Sequence, residues 1–327
     1  MNISVAILGA TGMVGQKAIA LLSSNPHFDI IELVASDQRI GQSFQDICDW
    51  RELLIPLPKK IAALTMSTIY NLKADFIISC LPSDVAEVVE PILAEQGKVV
   101  FSNASPFRLH KNIPLLIPEV NLHHLQLIKK QETAGKIITN PNCSATGASL
   151  AIAPLMEVGE IDHISIVTLQ SISGAGYPGI PSFDILGNTI PHINGESTKI
   201  TEETKRILGD IENPAKFAIT TQVHRVPVLY GHTITLHVTF KESIKINQAL
   251  ESYDAWNKKY PNLFLFHNEN GRPQSSKDLT HDDMRAHIGH LCQGDKPNII
   301  NLVCLTHNLV RGAAGAVISN MEAYIKS

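Results

Sequence analysis

The chain has 327 residues, of which 44% are hydrophobic and 18% charged, so it is long enough to bury sizeable cores and is expected to form two domains. The formal net charge of −4 and the absence of a long basic run argue against a general nucleic-acid-binding surface and favour a small-molecule partner. No signal peptide and no apolar stretch of membrane-spanning length is evident, so we expect neither secretion nor membrane insertion.

Strand-like and helix-like segments alternate through residues 1–138. Buried strands are indicated by "SVAILGA", "DIIELVAS", "ADFIISCLP" and "KVVFSNAS", and helices by the spacing of "GMVGQKAIALLSS" and "DVAEVVEPILAEQ". This alternation predicts an α/β domain in which helices cover a parallel sheet.

The pattern changes after residue 138. A helix-like segment, "SATGASLAIAPLMEV", is followed by the longer strand-like stretches "HISIVTLQSIS", "FAITTQVHRVPVL" and "HTITLHVTF". We therefore expect an α+β domain with a mixed sheet over residues 139–307. The last segment, "GAAGAVISNMEAYIKS", predicts a terminal helix within 308–327 that completes the first domain.

A glycine-rich turn lies between the first strand and the first helix. In "GATGMVG", Gly9, Gly12 and Gly15 lack a Cβ and allow a pyrophosphate to approach the helix N-terminus, where free N–H groups favour anions. The spacing departs from the usual G-x-G-x-x-G, and a tight turn without a ligand is the competing interpretation. The predicted cofactor loop also includes the intervening Thr11, Met13 and Val14.

The end of the second strand bears on which cofactor binds. In "VASDQRIG", Ser36 and Arg39 offer partners for a 2′-phosphate, which favours NADP. Asp37 offers a partner for a ribose hydroxyl instead, which would favour NAD.

The five cysteines are Cys48, Cys80, Cys143, Cys292 and Cys304. Their odd number and their spacing fit neither a zinc site nor a disulfide framework, so we expect a reducing compartment, the cytoplasm, and no metal. Cys304 lies in an apolar run and is expected to be buried.

Cys143 differs from the other cysteines because "TNPNCSATG" places it at the predicted N-terminus of a helix. Free N–H groups and the helix dipole favour a thiolate there, although a small residue filling a turn is the competing interpretation. His232 follows a glycine turn between two strands, and Arg225 lies nearby in sequence. A hydride acceptor, a thiolate, a base and a cation together indicate redox chemistry on an acyl group.

Eight segments, in order and over nearly the whole chain, resemble aspartate-semialdehyde dehydrogenase, most closely its archaeal and fungal branch. They are "GATGMVG", "SNASPFR", "LLIPEVN", "NPNCSATG", "QSISGAGYPG", "ESTKITEETKRILG", "RVPVLYGH" and "NLVRGAAGA". The resemblance implies a Rossmann-type NADP domain, a catalytic and dimerisation domain, and a homodimer or homotetramer. It also implies NADPH-dependent reduction of β-aspartyl phosphate to aspartate semialdehyde with release of phosphate, on the route to lysine, threonine and methionine.

The resemblance also implies a role for each matched residue. The catalytic residues would be Cys143 as nucleophile, His232 as acid/base and Gln170 as the group that orients the acyl intermediate. The substrate would be held by Arg225 at its α-carboxylate, by Glu196 at its α-amino group, and by Asn103, Arg108 and Lys199 at its phosphate. Ser79, Pro82 and Asn308 would lie against the nicotinamide. Ordinary surface ion pairing is the competing interpretation, above all for Glu196 and Lys199 on one helix.

One departure and three rival functions remain open. Relatives usually read A-S-x-R-S-A-G where this chain has Gln38 and then Arg39, which leaves the preference between NADP and NAD undecided. N-acetyl-γ-glutamyl-phosphate reductase usually has N-P-G-C-Y at its cysteine, whereas Asn142 and Ser144 flank Cys143 here. Malonyl-CoA reductase keeps the same cysteine context. A catalytically silent NADP-binding regulatory protein is the third rival.

Overall fold

The computed structural model describes residues 2–52 and 54–327, apart from the side chain of Asp37. Two units are distinguished within these residues. The first unit comprises the described residues up to Pro118 together with Leu122–Pro141 and Ala313–Ser327. The second unit comprises Glu119–Asn121 and Asn142–Gly312.

The strands and helices of the described residues are as follows, in chain order. The strands are β1 (Ile3–Leu8), β2 (Phe28–Val34), β3 (Met66–Ser67), β4 (Phe76–Ser79), β5 (Val99–Ser102), β6 (Lys136–Thr139), β7 (Ile161–Gln170), β8 (Ala218–Arg225), β9 (His232–Phe240), β10 (Phe264–His267), β11 (Ala286–Gln293) and β12 (Ile299–Thr306). The α-helices are α1 (Met13–Leu22), α2 (Phe44–Ile47), α3 (Lys59–Ala62), α4 (Ser83–Glu95), α5 (Pro118–Asn121), α6 (Cys143–Met156), α7 (Ser182–Ile185), α8 (Glu196–Ile207), α9 (Ile246–Lys259), α10 (Ser275–Asp278) and α11 (Gly315–Lys326). Short 3₁₀ segments cover Asp37–Arg39, Leu122–Lys130 and Ile172–Ala175, and a π-helical turn covers Val310–Ala314.

The first unit is built on a parallel sheet, as the alternating pattern predicted. Its six strands, counted over the described residues, follow the order β3-β2-β1-β4-β5-β6, and every pairing is parallel. This is the Rossmann-type order, in which the topology reverses between β1 and β4 and leaves a crevice at the carboxyl ends of those strands. Helix α11 also belongs to this unit, and its Val317 and Met321 lie in the core with Ile7.

The second unit has a mixed sheet, which confirms the predicted fold class. Among its described residues the strand order is β10-β11-β12-β9-β7-β8, with parallel pairs at both ends and antiparallel pairs between them. The register pairs Gln170 with Arg225 and His232 with Thr306. Because these pairs stand at the same end of neighbouring strands, the sheet gathers Gln170, Arg225 and His232 at one edge.

Helix α6 is the central helix of the second unit. Its residues from Ser144 to Leu155 are all buried, and it contacts α8, α9 and the strands β9 and β12. A helix that is apolar on every side is expected in the interior of a domain. No helix of the described residues is long and apolar enough to cross a lipid bilayer.

Candidate active site

The N-terminus of α6 presents Cys143, as the sequence predicted. The side chain of Asn142 caps this helix by accepting hydrogen bonds from the backbone N–H groups of Ser144 at 2.9 Å and Ala145 at 3.1 Å. A cap of this kind contributes about 1 kcal/mol to the stability of a helix. Cys143 is the first residue of α6 and is half-buried, so the helix dipole favours its thiolate.

Two side chains from distant parts of the sequence hold the turn before Cys143. Asn142 donates its side-chain amide to Glu196 Oε1 at 2.6 Å, and its backbone N–H donates to Glu203 Oε2 at 2.5 Å. Glu203 is 2% exposed and was not predicted as a site residue. Its spacing of seven from Glu196 puts both carboxylates on one face of α8, and this is the sequence signal that would have identified it.

Gly312 packs directly against the cysteine. A Cβ atom added at Gly312 would lie 2.5 Å from Cβ of Cys143, closer than such atoms approach in proteins. Gly312 lies in the π-helical turn Val310–Ala314, and π-helical turns are common at functional sites. Only glycine therefore allows the chain to pass behind the thiol in this arrangement.

His232 contacts the thiol. Its Nε2 lies 3.1 Å from Cys143 Sγ, although 89 positions separate the two residues in sequence. The ring is fully buried, and burial together with the positive charge of Arg225 lowers the pKa of His232 to about 3. The imidazole is therefore neutral at ordinary pH.

Arg225 and Gln170 complete the group around the thiol. Arg225 is 5% exposed, donates Nη1 to the carbonyl of Ser171 at 2.7 Å, and keeps a buried Nε without a hydrogen-bond partner among the described residues. Burial lowers the pKa of Arg225, while the nearby charges of Cys143 and Glu196 raise it. Gln170 donates Nε2 to Glu196 Oε1 at 3.3 Å. A Cβ at Gly174 would lie 2.8 Å from Arg225 Nη1, so glycine is needed there too.

Five predicted site residues therefore come together in the second unit: Cys143, Gln170, Glu196, Arg225 and His232. Lys199 lies one turn beyond Glu196 on α8, with its side chain exposed. Asn308 is buried, and both ends of its side-chain amide are engaged: Oδ1 accepts from Gly231 N–H at 2.9 Å and Nδ2 donates to Ser173 Oγ at 3.0 Å.

Some of the predicted cofactor residues line a cavity of the first unit. This cavity has a volume of about 520 Å³ and lies at the carboxyl ends of β1, β2 and β4. Its walls include five predicted residues, namely Gly9, Thr11, Ser36, Arg39 and Pro82. The lining residues Thr68 and Tyr70 were not predicted, because strand β3 just before them is too short to give a clear sequence pattern.

Glycines are required by the turn that forms this cavity. Gly9 has φ of +71°, and a Cβ on it would lie 2.5 Å from the carbonyl oxygen of Cys80. A Cβ on Gly15 would lie 2.4 Å from the carbonyl oxygen of Gly9. Gly12 caps α1, and Met13 and Val14 form its first turn with half-buried side chains. The free N–H groups of this turn suit an anionic ligand.

Arg39 lies near the glycine turn. Its Nη1 is 3.5 Å from Thr11 Oγ1, and the side chains of Ser36 and Arg39 are exposed. The side chain of Asp37, the alternative partner for a ribose, lies outside the part of the chain that the structure describes.

Asn103 and Arg108 form a cluster of the first unit with Ser79. Arg108 Nη2 donates to the carbonyl of Asn103 at 2.7 Å, and Asn103 Nδ2 donates to the carbonyl of Ser79 at 3.3 Å. Glu90 is fully buried beside them and accepts a hydrogen bond from Ser102 Oγ at 2.7 Å. Burial raises the pKa of Glu90, whereas the serine hydroxyls and the charge of Arg108 lower it. Glu90 was not predicted, because an acidic residue within a surface-like helical pattern gives no sign of burial.

Cysteines outside the site differ from Cys143. Cys304 is fully buried, as predicted, and burial raises the pKa of its thiol to about 12. Among the described cysteines none forms a disulfide. Over the same residues, no group of three or more His, Cys, Asp or Glu side chains is arranged to hold a metal ion.

Comparisons with known proteins agree with this architecture. Residues 4–128 match the family model "Semialdehyde dehydrogenase, NAD binding domain", and residues 152–311 match "Semialdehyde dehydrogenase, dimerisation domain". The chain is 38% identical to aspartate-semialdehyde dehydrogenase of Archaeoglobus fulgidus over 100% of this chain and 99% of that protein. It is 32% identical to a malonyl-CoA reductase (NADP) of Metallosphaera sedula, over 99% of this chain and 97% of that protein.

A solved structure is similar over its full length. The crystal structure of aspartate-semialdehyde dehydrogenase with NADP from Candida albicans superposes with a TM-score of 0.90 and 30% identity, covering 99% of each chain. Fold, site and family models together define an oxidoreductase of the semialdehyde dehydrogenase type. Within that class, the chain belongs to the aspartate-semialdehyde dehydrogenase family.

Proposed function

We propose that this protein reduces β-aspartyl phosphate to aspartate semialdehyde with NADPH and releases phosphate, through a thioacyl intermediate on Cys143. This reaction would serve the synthesis of lysine, threonine and methionine. The observation that carries the proposal is the 3.1 Å approach of His232 Nε2 to Cys143 Sγ at a helix N-terminus, with Arg225 beside them. Such an arrangement suits a nucleophilic thiolate that attacks an acyl group.

The cavity of the first unit fits a nicotinamide dinucleotide. It lies at the topological switch point of the sheet, and the glycine turn there permits close approach of a pyrophosphate. Arg39 and Ser36 lie on its wall and would hold a 2′-phosphate, so we propose NADP as the cofactor. Ser79 and Pro82 remain proposed neighbours of the nicotinamide. When bound, NADPH supplies the hydride for the reduction.

The substrate is recognised by two opposite charges in the second unit. The buried Nε of Arg225 has no hydrogen-bond partner among the described residues, and a substrate α-carboxylate would satisfy it. Glu196 would bind the α-ammonium group through the oxygen that does not accept from Asn142 and Gln170. Lys199, Asn103 and Arg108 remain proposed ligands of the phosphate group.

The thiolate of Cys143 would then attack the acyl carbon, and phosphate would leave. Gln170 would orient the resulting thioester, because its amide donates to Glu196 Oε1 and its strand position is paired with Arg225, the two proposed substrate ligands. Splitting the displacement into two steps lowers the barrier of each.

The charge pair at Arg225 and Glu196 favours this substrate over the rivals. A free amino acid aldehyde carries both an α-carboxylate and an α-ammonium group, whereas an N-acetylated substrate or malonyl-CoA has no α-ammonium for Glu196. The contact between Cys143 and His232 disfavours a silent regulatory protein. Burying these two polar side chains against each other costs folding free energy, and a protein that only bound NADP would not need the pair.

A homodimer is also proposed, through the open face of the second sheet. Helices α6, α8 and α9 cover one face of this sheet. Its other face carries half-exposed side chains on the central strands, among them Val167, Thr235 and Val303. Pairing of two such faces would bury them, and the homodimer would be free to pair again into a homotetramer. We propose the cytoplasm as its location because none of the described cysteines forms a disulfide.

A side-by-side assay tests the substrate. Phosphate-dependent oxidation of aspartate semialdehyde is measured with NADP and with NAD, and compared with N-acetylglutamate semialdehyde and with malonate semialdehyde plus coenzyme A. We expect aspartate semialdehyde to give the highest kcat/KM. Preference for either competitor would overturn the substrate assignment and leave the Cys143 chemistry standing.

A further inference from the structure

The ring nitrogen of His232 that faces away from Cys143 is surrounded by donors. The backbone N–H of Ser171 lies 3.1 Å from Nδ1, and the hydroxyl of the same serine lies 3.3 Å from it. A backbone N–H can only donate, so Nδ1 must accept and carries no proton. In the neutral ring the single proton therefore lies on Nε2, which points at Cys143 Sγ.

The hydrogen bonds of Asn308, Ser173 and Ser171 form a chain in which each group donates toward His232 Nδ1. The backbone N–H of Gly231 donates to Asn308 Oδ1 at 2.9 Å, which fixes the orientation of the amide. Asn308 Nδ2 then donates to Ser173 Oγ at 3.0 Å, and the hydroxyls of Ser173 and Ser171 lie 3.2 Å apart. With Ser173 Oγ already accepting, its proton is available to Ser171, whose own proton is available to His232 Nδ1.

We propose that Asn308, Ser173 and Ser171 are positioning residues that hold His232 as the tautomer protonated on Nε2, so that the ring is a neutral hydrogen-bond donor and not the base that ionises Cys143. The role in turnover rests on the function proposed above, whereas the tautomer is a property of the free enzyme. Asn308 accepts a hydrogen bond from Gly231 and donates one to Ser173, so its side chain supports the two serines that face His232.

The surroundings of His232 disfavour protonation of the neutral ring to an imidazolium. Arg225 donates to the carbonyl of Ser171, and Gly174 lets its guanidinium pass close to the ring, since a Cβ there would lie 2.8 Å from Arg225 Nη1 and 3.1 Å from His232 Cε1. A cation this near disfavours an imidazolium, in the same direction as the burial that lowers the pKa of His232. Thiolate stabilisation then falls to the α6 N-terminus, to Arg225 and to the Nε2–H donor.

The reaction balances without proton transfer at His232. Sγ forms a bond to the acyl carbon, the bond from that carbon to the phosphate oxygen breaks, and phosphate leaves with the electron pair and takes its proton from solvent. After hydride addition to the thioester, the alkoxide re-forms a carbonyl, the C–S bond breaks, and Sγ recovers its electron pair as a thiolate. The Nε2–H group of His232 would donate to the negatively charged oxygen in both tetrahedral stages.

The tautomer is measurable by ¹⁵N NMR of the histidine-labelled free enzyme, with His232→Gln used to assign the resonances. We expect a pyridine-like Nδ1 and a pyrrole-like Nε2, unchanged from pH 8 to about pH 5 because the pKa is so low. A pyrrole-like Nδ1, or a doubly protonated ring at neutral pH, would overturn the proposal. The result does not depend on any substrate, so it stands or falls separately from the proposed function.

Two variants test the chain and the donor role. Ser171→Ala removes one donor to Nδ1 and should move the Nδ1 resonance; Ser149→Ala, a buried serine whose hydroxyl has no partner among the described residues, should not. An unmoved Nδ1 resonance in Ser171→Ala would show that the serines do not act on His232.

The donor role is tested by comparing His232→Gln with His232→Ala. Glutamine keeps an N–H donor near the position of Nε2 but cannot shuttle protons. Because one such donor contributes roughly 10²- to 10³-fold to the rate, His232→Gln should retain at least about ten times the turnover of His232→Ala. Equal losses in the two variants, with unchanged melting temperature and cofactor binding, would contradict the donor role.

Discussion

Asn142 joins the cap of the nucleophile's helix to the carboxylate of Glu196 through a side-chain hydrogen bond of 2.6 Å. One side chain therefore fixes the start of α6 and orients a proposed substrate ligand, so a change at Asn142 can separate the two tasks. Serine is as good a helix cap as asparagine but has no amide to reach Glu196.

Asn142→Ser should therefore keep its stability and lose substrate affinity. We expect a nearly unchanged melting temperature and a KM for aspartate semialdehyde raised about 10-fold or more, the usual worth of a hydrogen bond to a charged group. Steady-state kinetics and thermal unfolding measure the two effects. A KM like that of the wild type would show that Glu196 needs no support from Asn142.

Arg225→Lys should lose most of its kcat/KM. A lysine ammonium is a point charge and cannot reproduce the two parallel hydrogen bonds that guanidinium offers a carboxylate. The matched control is Arg285→Lys, whose arginine pairs with Asp283 in the same unit. If both variants kept wild-type kinetics, Arg225 would not be the ligand of the α-carboxylate.

Arg39→Ala tests the choice of cofactor. Because Arg39 and Ser36 are the proposed partners of the 2′-phosphate, the variant should bind NADP more weakly while its affinity for NAD changes little. Dissociation constants for both nucleotides, measured by fluorescence or calorimetry, decide this. Equal losses of affinity for NADP and NAD, or a wild type that prefers NAD, would indicate that Asp37 determines the cofactor preference.

His232 should also make the free energy of unfolding depend on pH below neutrality. Its folded-state pKa is lowered from 6.5 to about 3, so between these pH values the unfolded chain binds more protons and the folded state loses stability as the pH falls. This one group contributes a slope of up to about 1.4 kcal/mol per pH unit to the free energy of unfolding. In His232→Gln that contribution should vanish. Denaturant unfolding at a series of pH values tests it, and parallel slopes for the two proteins would show that the ring is protonated in the native state.

Much of the fold followed from sequence because its signals are local. The strand-to-helix turn at Gly9 and the apolar runs of the first unit lie within single elements, and the start of α6 at Cys143 has a capping residue directly before it. The approach of His232 to Cys143 depends instead on strand register, which no local pattern specifies.

The residues that sequence missed act through the backbone or through distant partners. Glu203 binds the N–H of Asn142, Ser171 binds His232 through its own N–H, and Gly312 matters for the space it leaves beside Cys143. A backbone contact leaves no characteristic residue type, and an isolated glutamate or serine is typical of many surfaces. Asn308 was assigned to the nicotinamide on resemblance, which stays a prediction, and the sequence carries no sign of its hydrogen bonds to Gly231 and Ser173.

The central claim is that Cys143 is the covalent nucleophile, and Cys143→Ser tests it most directly. A serine hydroxyl is a far weaker nucleophile near neutral pH, so this variant should fold, bind NADP as the wild type does and lose nearly all turnover. Cys292→Ser, at an exposed thiol of the same unit, is the control and should remain fully active. Incubation with β-aspartyl phosphate without NADPH should also give a mass increase of one aspartyl group on wild-type and Cys292→Ser protein but not on Cys143→Ser. Substantial turnover in Cys143→Ser, or an aspartyl adduct that persists in it, would contradict the account.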